Sequence, residues 1–118
     1  MDAATRGLTL RSARSSGIDL SGYVGVAFTA KGTGPLRVMV GTADMDAAGN
    51  GDFHGRVYDL ASTWRRYLVR FDDPDVAQGG WGAKATFPPS QVSGIHFSSG
   101  AEGTAELWID DVVLLKAR

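Results

Sequence analysis

The chain has 118 residues, enough for one domain with its own hydrophobic core, and its lack of cysteine excludes disulfide and thiolate-metal chemistry. A formal charge of −1 gives no overall basic field for nucleic acid, and no run of about 18 apolar residues exists to cross a membrane as a helix. Sixteen glycines, roughly twice the average usage, separate short β-branched runs, a composition suited to an all-β fold with many turns.

Residues 1–6 contain no apolar signal core, and the expectation is a domain taken from a longer chain. Gly7 to Ser12 alternates weakly and predicts an edge strand, followed by the loop composition Arg14-Ser15-Ser16-Gly17. Tyr23 to Ala30 predicts a strand with Val24, Val26 and Phe28 on the core face, since side chains alternate with period two. Lys31-Gly32-Thr33-Gly34-Pro35 is a turn. Leu36 to Thr42 resumes the alternation, with Leu36, Val38 and Val40 inward and Arg37 and Met39 outward. Asp44 to Asp52 reads as a polar loop. Its Asp44, Asp46, Asn50 and Asp52 have the composition of a calcium loop, but Ala48 stands at a ligand position and the closing glutamate is missing, which favours ordinary Asx turns.

Arg56 to Leu60 predicts a short strand. Trp64 to Phe71 predicts a longer one, with Tyr67, Val69 and Phe71 on one face and Trp64, Arg66, Leu68 and Arg70 on the other. The stretch from Asp72 to Pro89 is a loop of a length that often carries function. Ser90-Gln91-Val92 predicts a single helical turn, and Ile95 to Ser98 a strand with Ile95 and Phe97 inward. After the Ser99 to Gly103 turn, Ala105 to Leu115 begins as an alternating strand and ends as a continuous apolar run. Leu107 and Ile109 share one face; Glu106, Trp108 and Asp110 share the other. There is no helical pattern of ten residues, no repeat and no heptad. Seven short strands with these turns predict a two-sheet antiparallel β-sandwich, which periodicity alone leaves open between immunoglobulin-like and jelly-roll topologies.

The pair Asp110-Asp111 inside an apolar run is unusual, because a buried carboxylate is costly unless it is paired or metal-bound. It asks for a backbone donor, an arginine or a calcium ion; the alternative is one aspartate facing solvent and one capping a turn.

Several segments together resemble a known family. They are Tyr23-Val24-Gly25-Val26-Ala27-Phe28-Thr29-Ala30-Lys31-Gly32, Leu36-Arg37-Val38-Met39-Val40, Trp64-Arg65-Arg66-Tyr67-Leu68-Val69-Arg70-Phe71, Gln78-Gly79-Gly80-Trp81-Gly82, Val92-Ser93-Gly94-Ile95-His96-Phe97 and Leu107-Trp108-Ile109-Asp110-Asp111-Val112. In this order, over residues 18–115, the set resembles the galactose-binding-like jelly rolls, nearest to family 11 carbohydrate-binding modules of secreted bacterial hydrolases. The resemblance implies a β-jelly roll that binds β-glucan or related polysaccharide through one sheet face and its loops. It further implies an extracellular setting, attachment to a catalytic domain, and a structural calcium near the chain ends, for which Asp110 and Asp111 are the candidate ligands. The chain departs from the family in a shorter N-terminal part and in outward positions that are not tyrosine-rich. The expected organisation is a single domain over residues 1–118 with a shortened N-terminal edge.

Sugar recognition needs flat aromatic faces for pyranose C–H patches, flanked by groups that bond hydroxyls. Arg37, Met39, His96 and Ser98 are outward residues of two strands that the resembled fold puts in one sheet, and Tyr58 joins them if its strand follows that sheet. Trp81, in its glycine-rich loop, and Phe53-His54 are further aromatic candidates. Packing is the expected role of Trp64 and Trp108. A glycosidase would need two positioned carboxyls, but the two glutamates, Glu102 and Glu106, lie near one turn, and no nucleophile elbow, phosphate loop or zinc pattern is present. The expectation is a non-catalytic carbohydrate-binding module with no nucleic-acid or membrane partner. The alternative is a structural or protein-interaction sandwich of an extracellular assembly.

Overall fold

The computed structural model describes residues 7–11, 19–87, 89–99 and 106–116, with side chains for all of these except 7–11 and 89. It contains seven strands: β1 (Gly7–Arg11), β2 (Tyr23–Gly32), β3 (Pro35–Thr42), β4 (His54–Asp59), β5 (Arg65–Arg70), β6 (Val92–Ser99) and β7 (Leu107–Lys116). They form a four-stranded sheet of order β1-β6-β3-β4 and a three-stranded sheet of order β5-β2-β7. Every pairing is antiparallel. The turn from Ser99 to Gly103 lies largely outside the described residues. The predicted helical turn is a 3₁₀ turn, Pro89–Gln91.

The core forms where the apolar faces of the two sheets meet. Leu36, Val38 and Val40 of β3 are fully buried, as the alternation predicts, and Arg37 and Met39 lie on the other face. Phe97 of β6, Val69 of β5 and Leu107 and Ile109 of β7 join them. Phe28 of β2 is completely buried at the centre, stacked on Tyr67 and edge-on to Phe97.

Two edges on the same side of the sandwich, β4 and β5, are joined across the layers. The Tyr58 hydroxyl donates to the Leu68 carbonyl at 2.7 Å, and the Tyr67 hydroxyl donates to the Asp59 carbonyl at 3.1 Å. Each phenol thus satisfies its polar tip on the strand that carries the other while its ring packs in the core.

Lys31 and Gly32 extend β2 and Pro35 opens β3, so only Thr33 and Gly34 of the predicted turn lie between the strands, and two further departures from the predicted elements are larger. The polar stretch after β3 contains a one-turn helix, α1 (Ala43–Ala47), whose Met45 is buried. Hydropathy hid this, because one apolar side chain is enough to seat a single turn. The second departure is the phase of β7. The register between β2 and β7 shifts between Ala27 and Thr29, so Asp111 and Val112 together oppose Phe28. Asp111 takes φ 51°, the left-handed conformation that aspartate tolerates better than most residues. This bulge moves Val112, rather than Asp111, onto the core.

Candidate functional site

The outer face of the four-stranded sheet brings four of the sequence-predicted residues together. Met39 of β3 lies opposite His96 of β6, and Arg37 lies opposite Ser98. Gly55 of β4 sits opposite Met39, and the Met39 side chain lies over it; a Cβ at Gly55 would run into Met39 Cγ at 2.7 Å.

Tyr58 does not join this surface, and its expected place is corrected here. Its strand does belong to the sheet, but Tyr58 is opposite Leu36, which points into the core. It therefore faces inward against Phe28, and burial pushes its phenol pKa up. The outward residue of β4 at this level is Val57, opposite Arg37 and 52% exposed.

Two loops close over the Met39–His96 end of the face. Phe53, in the segment before β4, stacks on the His96 imidazole with ring centroids 5.0 Å apart, and is itself buried. Arg37 Nη2 donates to the Ala77 carbonyl at 3.0 Å and to the Phe53 carbonyl at 3.4 Å. Ala77 extends the sheet beyond β4 through a two-bond bridge to Gly55. Arg37 and His96 thus hold the loops in place. His54 turns the other way, opposite Val40, and packs against Phe87.

The residue that organises these loops is Asp52, which sequence reasoning treated as one acid of an ordinary Asx-turn loop. It is 1% exposed. Its Oδ1 accepts from the Gly79 N–H at 2.7 Å, and its Oδ2 accepts from the Gly80 and Gly82 N–H groups at 2.9 and 3.0 Å. Burial alone would raise the pKa of this carboxyl. The three backbone donors and the nearby Arg37 guanidinium outweigh that and hold it below the ordinary aspartate value. Glycine is required at two of these positions for different reasons. Gly80 has φ 99°, and a Cβ at Gly82 would run into Asn50 Oδ1 and Asp52 Cβ. Asn50 and Gln78 complete the frame by donating to the Ala83 carbonyl at 2.7 and 2.8 Å. The sequence signal was Asn50-Gly51-Asp52 facing Gln78-Gly79-Gly80-Trp81-Gly82: a glycine-rich loop offers several N–H groups and needs an acceptor for them. Which acid supplies it was not readable from spacing.

The frame holds Trp81 outward. It is 74% exposed, the most open large apolar side chain described, and it borders Gly51 and Gly79. An exposed indole on a fixed loop, next to a sheet face carrying a guanidinium, an imidazole and a hydroxyl, combines a stacking surface with hydroxyl-bonding groups.

Asp110 and Asp111 are both exposed, and the Asp111 N–H donates to Asp110 Oδ1 at 2.8 Å. The aspartate pair is thus accommodated by the bulge and a local cap. Calcium takes six to eight oxygen ligands. Among the described residues, no group of three or more His, Asp or Glu side chains gathers to hold a metal ion.

No family model and no curated protein matches the sequence. Solved structures are similar. The family 11 carbohydrate-binding module of the cellulosomal cellulase Lic26A-Cel5E of Clostridium thermocellum superposes with TM-score 0.70 at 18% identity, over 94% of this chain and 66% of the module. A Clostridium thermocellum family 11 module in complex with a β-1,3-1,4-mixed-linked tetrasaccharide gives 0.68 at 19%, over 94% and 68%. CtCBM11, studied in solution, gives 0.62 at 15%, over 100% and 86%. The chain thus spans about two thirds of the length of the first two. Its two-sheet jelly roll is the fold of the family 11 carbohydrate-binding modules.

Proposed function

We propose that the chain is a non-catalytic carbohydrate-binding module that holds β-glucan or a related polysaccharide chain on the outer face of the four-stranded sheet, with Trp81 as the stacking platform. The observation that carries this reading is Trp81 itself: a 74% exposed indole on a loop fixed by a buried carboxylate. An indole held out on a fixed loop offers a large flat apolar face with few rotatable bonds to immobilise on binding. The fold shared with a module that is in complex with a mixed-linked tetrasaccharide supports the choice of ligand class. Attached to the catalytic domain of a secreted hydrolase, such a module needs only weak binding. A Kd of about 10 μM to 1 mM (roughly 4–7 kcal/mol) concentrates the enzyme on its substrate.

Affinity electrophoresis and calorimetry with mixed-linkage β-glucan, xylan and mannan test the proposal. Retardation by at least one of them is expected. Trp81→Ala is expected to weaken that binding by about 2 kcal/mol, roughly thirty-fold, the loss typical of a central aromatic anchor. Unchanged affinity in Trp81→Ala would remove Trp81 from the site. A second reading, a protein-interaction sandwich, draws on the exposed Val57, Val113 and Leu114. Concentration-dependent association, with no retardation on any glycan, would select it.

A calcium ion at the Asp110–Asp111 step is a separate proposal, resting on the aspartate pair and the family resemblance. Metal bound only by the native state raises stability, so a chelator is expected to lower the Tm. A melt unchanged by chelator removes the ion from the account.

A further inference from the structure

The three-stranded sheet also carries a built feature on its outer face, on the side of the sandwich opposite Trp81. Lys31 of β2 pairs with Trp108 of β7. The β2–β5 register places Ala30 opposite Arg65, so Trp64, the next residue out, comes level with Lys31 on the other side. The row Trp64–Lys31–Trp108 therefore crosses the sheet. The Lys31 ammonium stands 5.1 Å from the Trp64 ring centroid and 5.5 Å from that of Trp108. Trp64 is 47% exposed, more open than a packing role requires.

Beside this row is a shallow cleft lined by Lys31, Gly32, Thr33, Ser62, Glu106 and Trp108, with a volume of about 120 Å³. That is below the size of pockets that enclose a whole small molecule, and leaves room for one edge of a single sugar ring rather than for a protein segment. Its floor is rigid. The Gly32 N–H donates to the Ala61 carbonyl and the Thr33 N–H to the Glu106 carbonyl. Its chemistry is mixed: an ammonium that only donates, a carboxylate that only accepts, and two hydroxyls that do both. The ion pairs among the described residues are Arg56–Asp73 and Arg70–Asp72, so neither Lys31 nor Glu106 is paired within that set.

We infer that this cleft is a second saccharide subsite, which takes one neutral pyranose ring of a polysaccharide chain. The ring's C–H face rests on an indole, and a vicinal diol bridges Lys31 and Glu106, each hydroxyl donating to one group and accepting from the other. A uronic acid fits less well, because its carboxylate would meet that of Glu106. The inference extends the reading of the chain as a saccharide binder to a second face. Two sites on opposite sheets cannot contact one straight segment of chain, so such a module would bridge two polysaccharide chains.

The chain has three tryptophans, so its indole N–H signals in a nitrogen–proton correlation spectrum can be assigned with single Trp→Phe variants. Cellotetraose is titrated into the Trp81→Ala protein, with a galacturonate oligomer as comparison. The Trp64 and Trp108 signals are expected to move together and saturate, to move less with the acidic oligomer, and to need about fivefold more cellotetraose in Lys31→Met and Glu106→Gln. Lys31→Met keeps an aliphatic stem between the rings, which separates loss of the donor from loss of packing. The inference is overturned if those signals stay still while Trp81 responds in the unmodified protein, an outcome that leaves the first site intact. Movement without saturation, or undiminished in both variants, also overturns it. Silence of all three indoles would overturn both sites.

Discussion

Asp52→Ala is expected to weaken glycan binding about as much as removing Trp81 itself, although Asp52 is buried and cannot touch a ligand. The variant leaves the Gly79, Gly80 and Gly82 N–H groups without their acceptor. Hydrogen bonds to a charged group are among the stronger ones in proteins, and buried donors left unpaired are costly. The loop would then sample many conformations, and the indole would lose the fixed presentation that limits the entropy cost of binding. A fall in Tm on the order of 10 °C is expected alongside. Asp52→Asn is the sharper probe, since it keeps the shape but turns one acceptor into a donor facing other donors. Acidity should act on the same group. Its folded pKa lies below the ordinary aspartate value of about 3.9, so the unfolded chain takes up the proton more readily. The stabilisation is full above about pH 4 and is lost as pH falls through the folded value. Thermal melts and glucan retardation at pH 7 and in the acid range measure this. Wild-type affinity and melting in Asp52→Ala would show that the loop holds itself.

Phe28→Ala is expected to cost about 3–5 kcal/mol, a large share of the 5–15 kcal/mol that holds a typical domain together. The ring is completely buried and touches three others: Tyr67 at 5.5 Å, Phe97 at 5.2 Å and Tyr58 at 6.1 Å between centroids. Those partners come from β4, β5 and β6, so both sheets lose contact when it is truncated. The cavity would sit where the layers are tied together by their tyrosines, which leaves the neighbours little room to collapse into it. Chemical denaturation at pH 7 gives the number. A loss under 1 kcal/mol would mean that this centre is far more plastic than its packing indicates.

The fold was legible because its strands alternate cleanly. Leu36, Val38 and Val40 against Arg37 and Met39 define two faces with no competing phase, and the same holds for Tyr67 and Val69 against Arg66 and Arg70. The grouping of Arg37, Met39, His96 and Ser98 could be read because alternation makes all four outward and the resemblance puts their two strands in one sheet, where they pair directly. Tyr58 was misplaced because a short strand fixes its inward face only through register, and the register was set by Leu36 in another strand. In β7 the apolar run Val112 to Leu115 carries no phase of its own, so the bulge at Asp111 was not visible. Asp52 could not be singled out, because what it needs lies 27 to 30 residues away in a loop whose path no local pattern encodes. The openness of Trp64 likewise depends on where Lys31 stands, which only the pairing of β2 with β5 decides.

The reciprocal bonds of Tyr58 and Tyr67 have a mechanical meaning. Each hydroxyl grips the backbone across the gap, so neither layer can slide past the other at that edge without breaking both links. Shear of one sheet across the other is thereby opposed on that flank. With the Trp81 loop also tied down by Asp52, an incoming chain meets a surface whose backbone is set in advance, and the strands beneath act as an anvil.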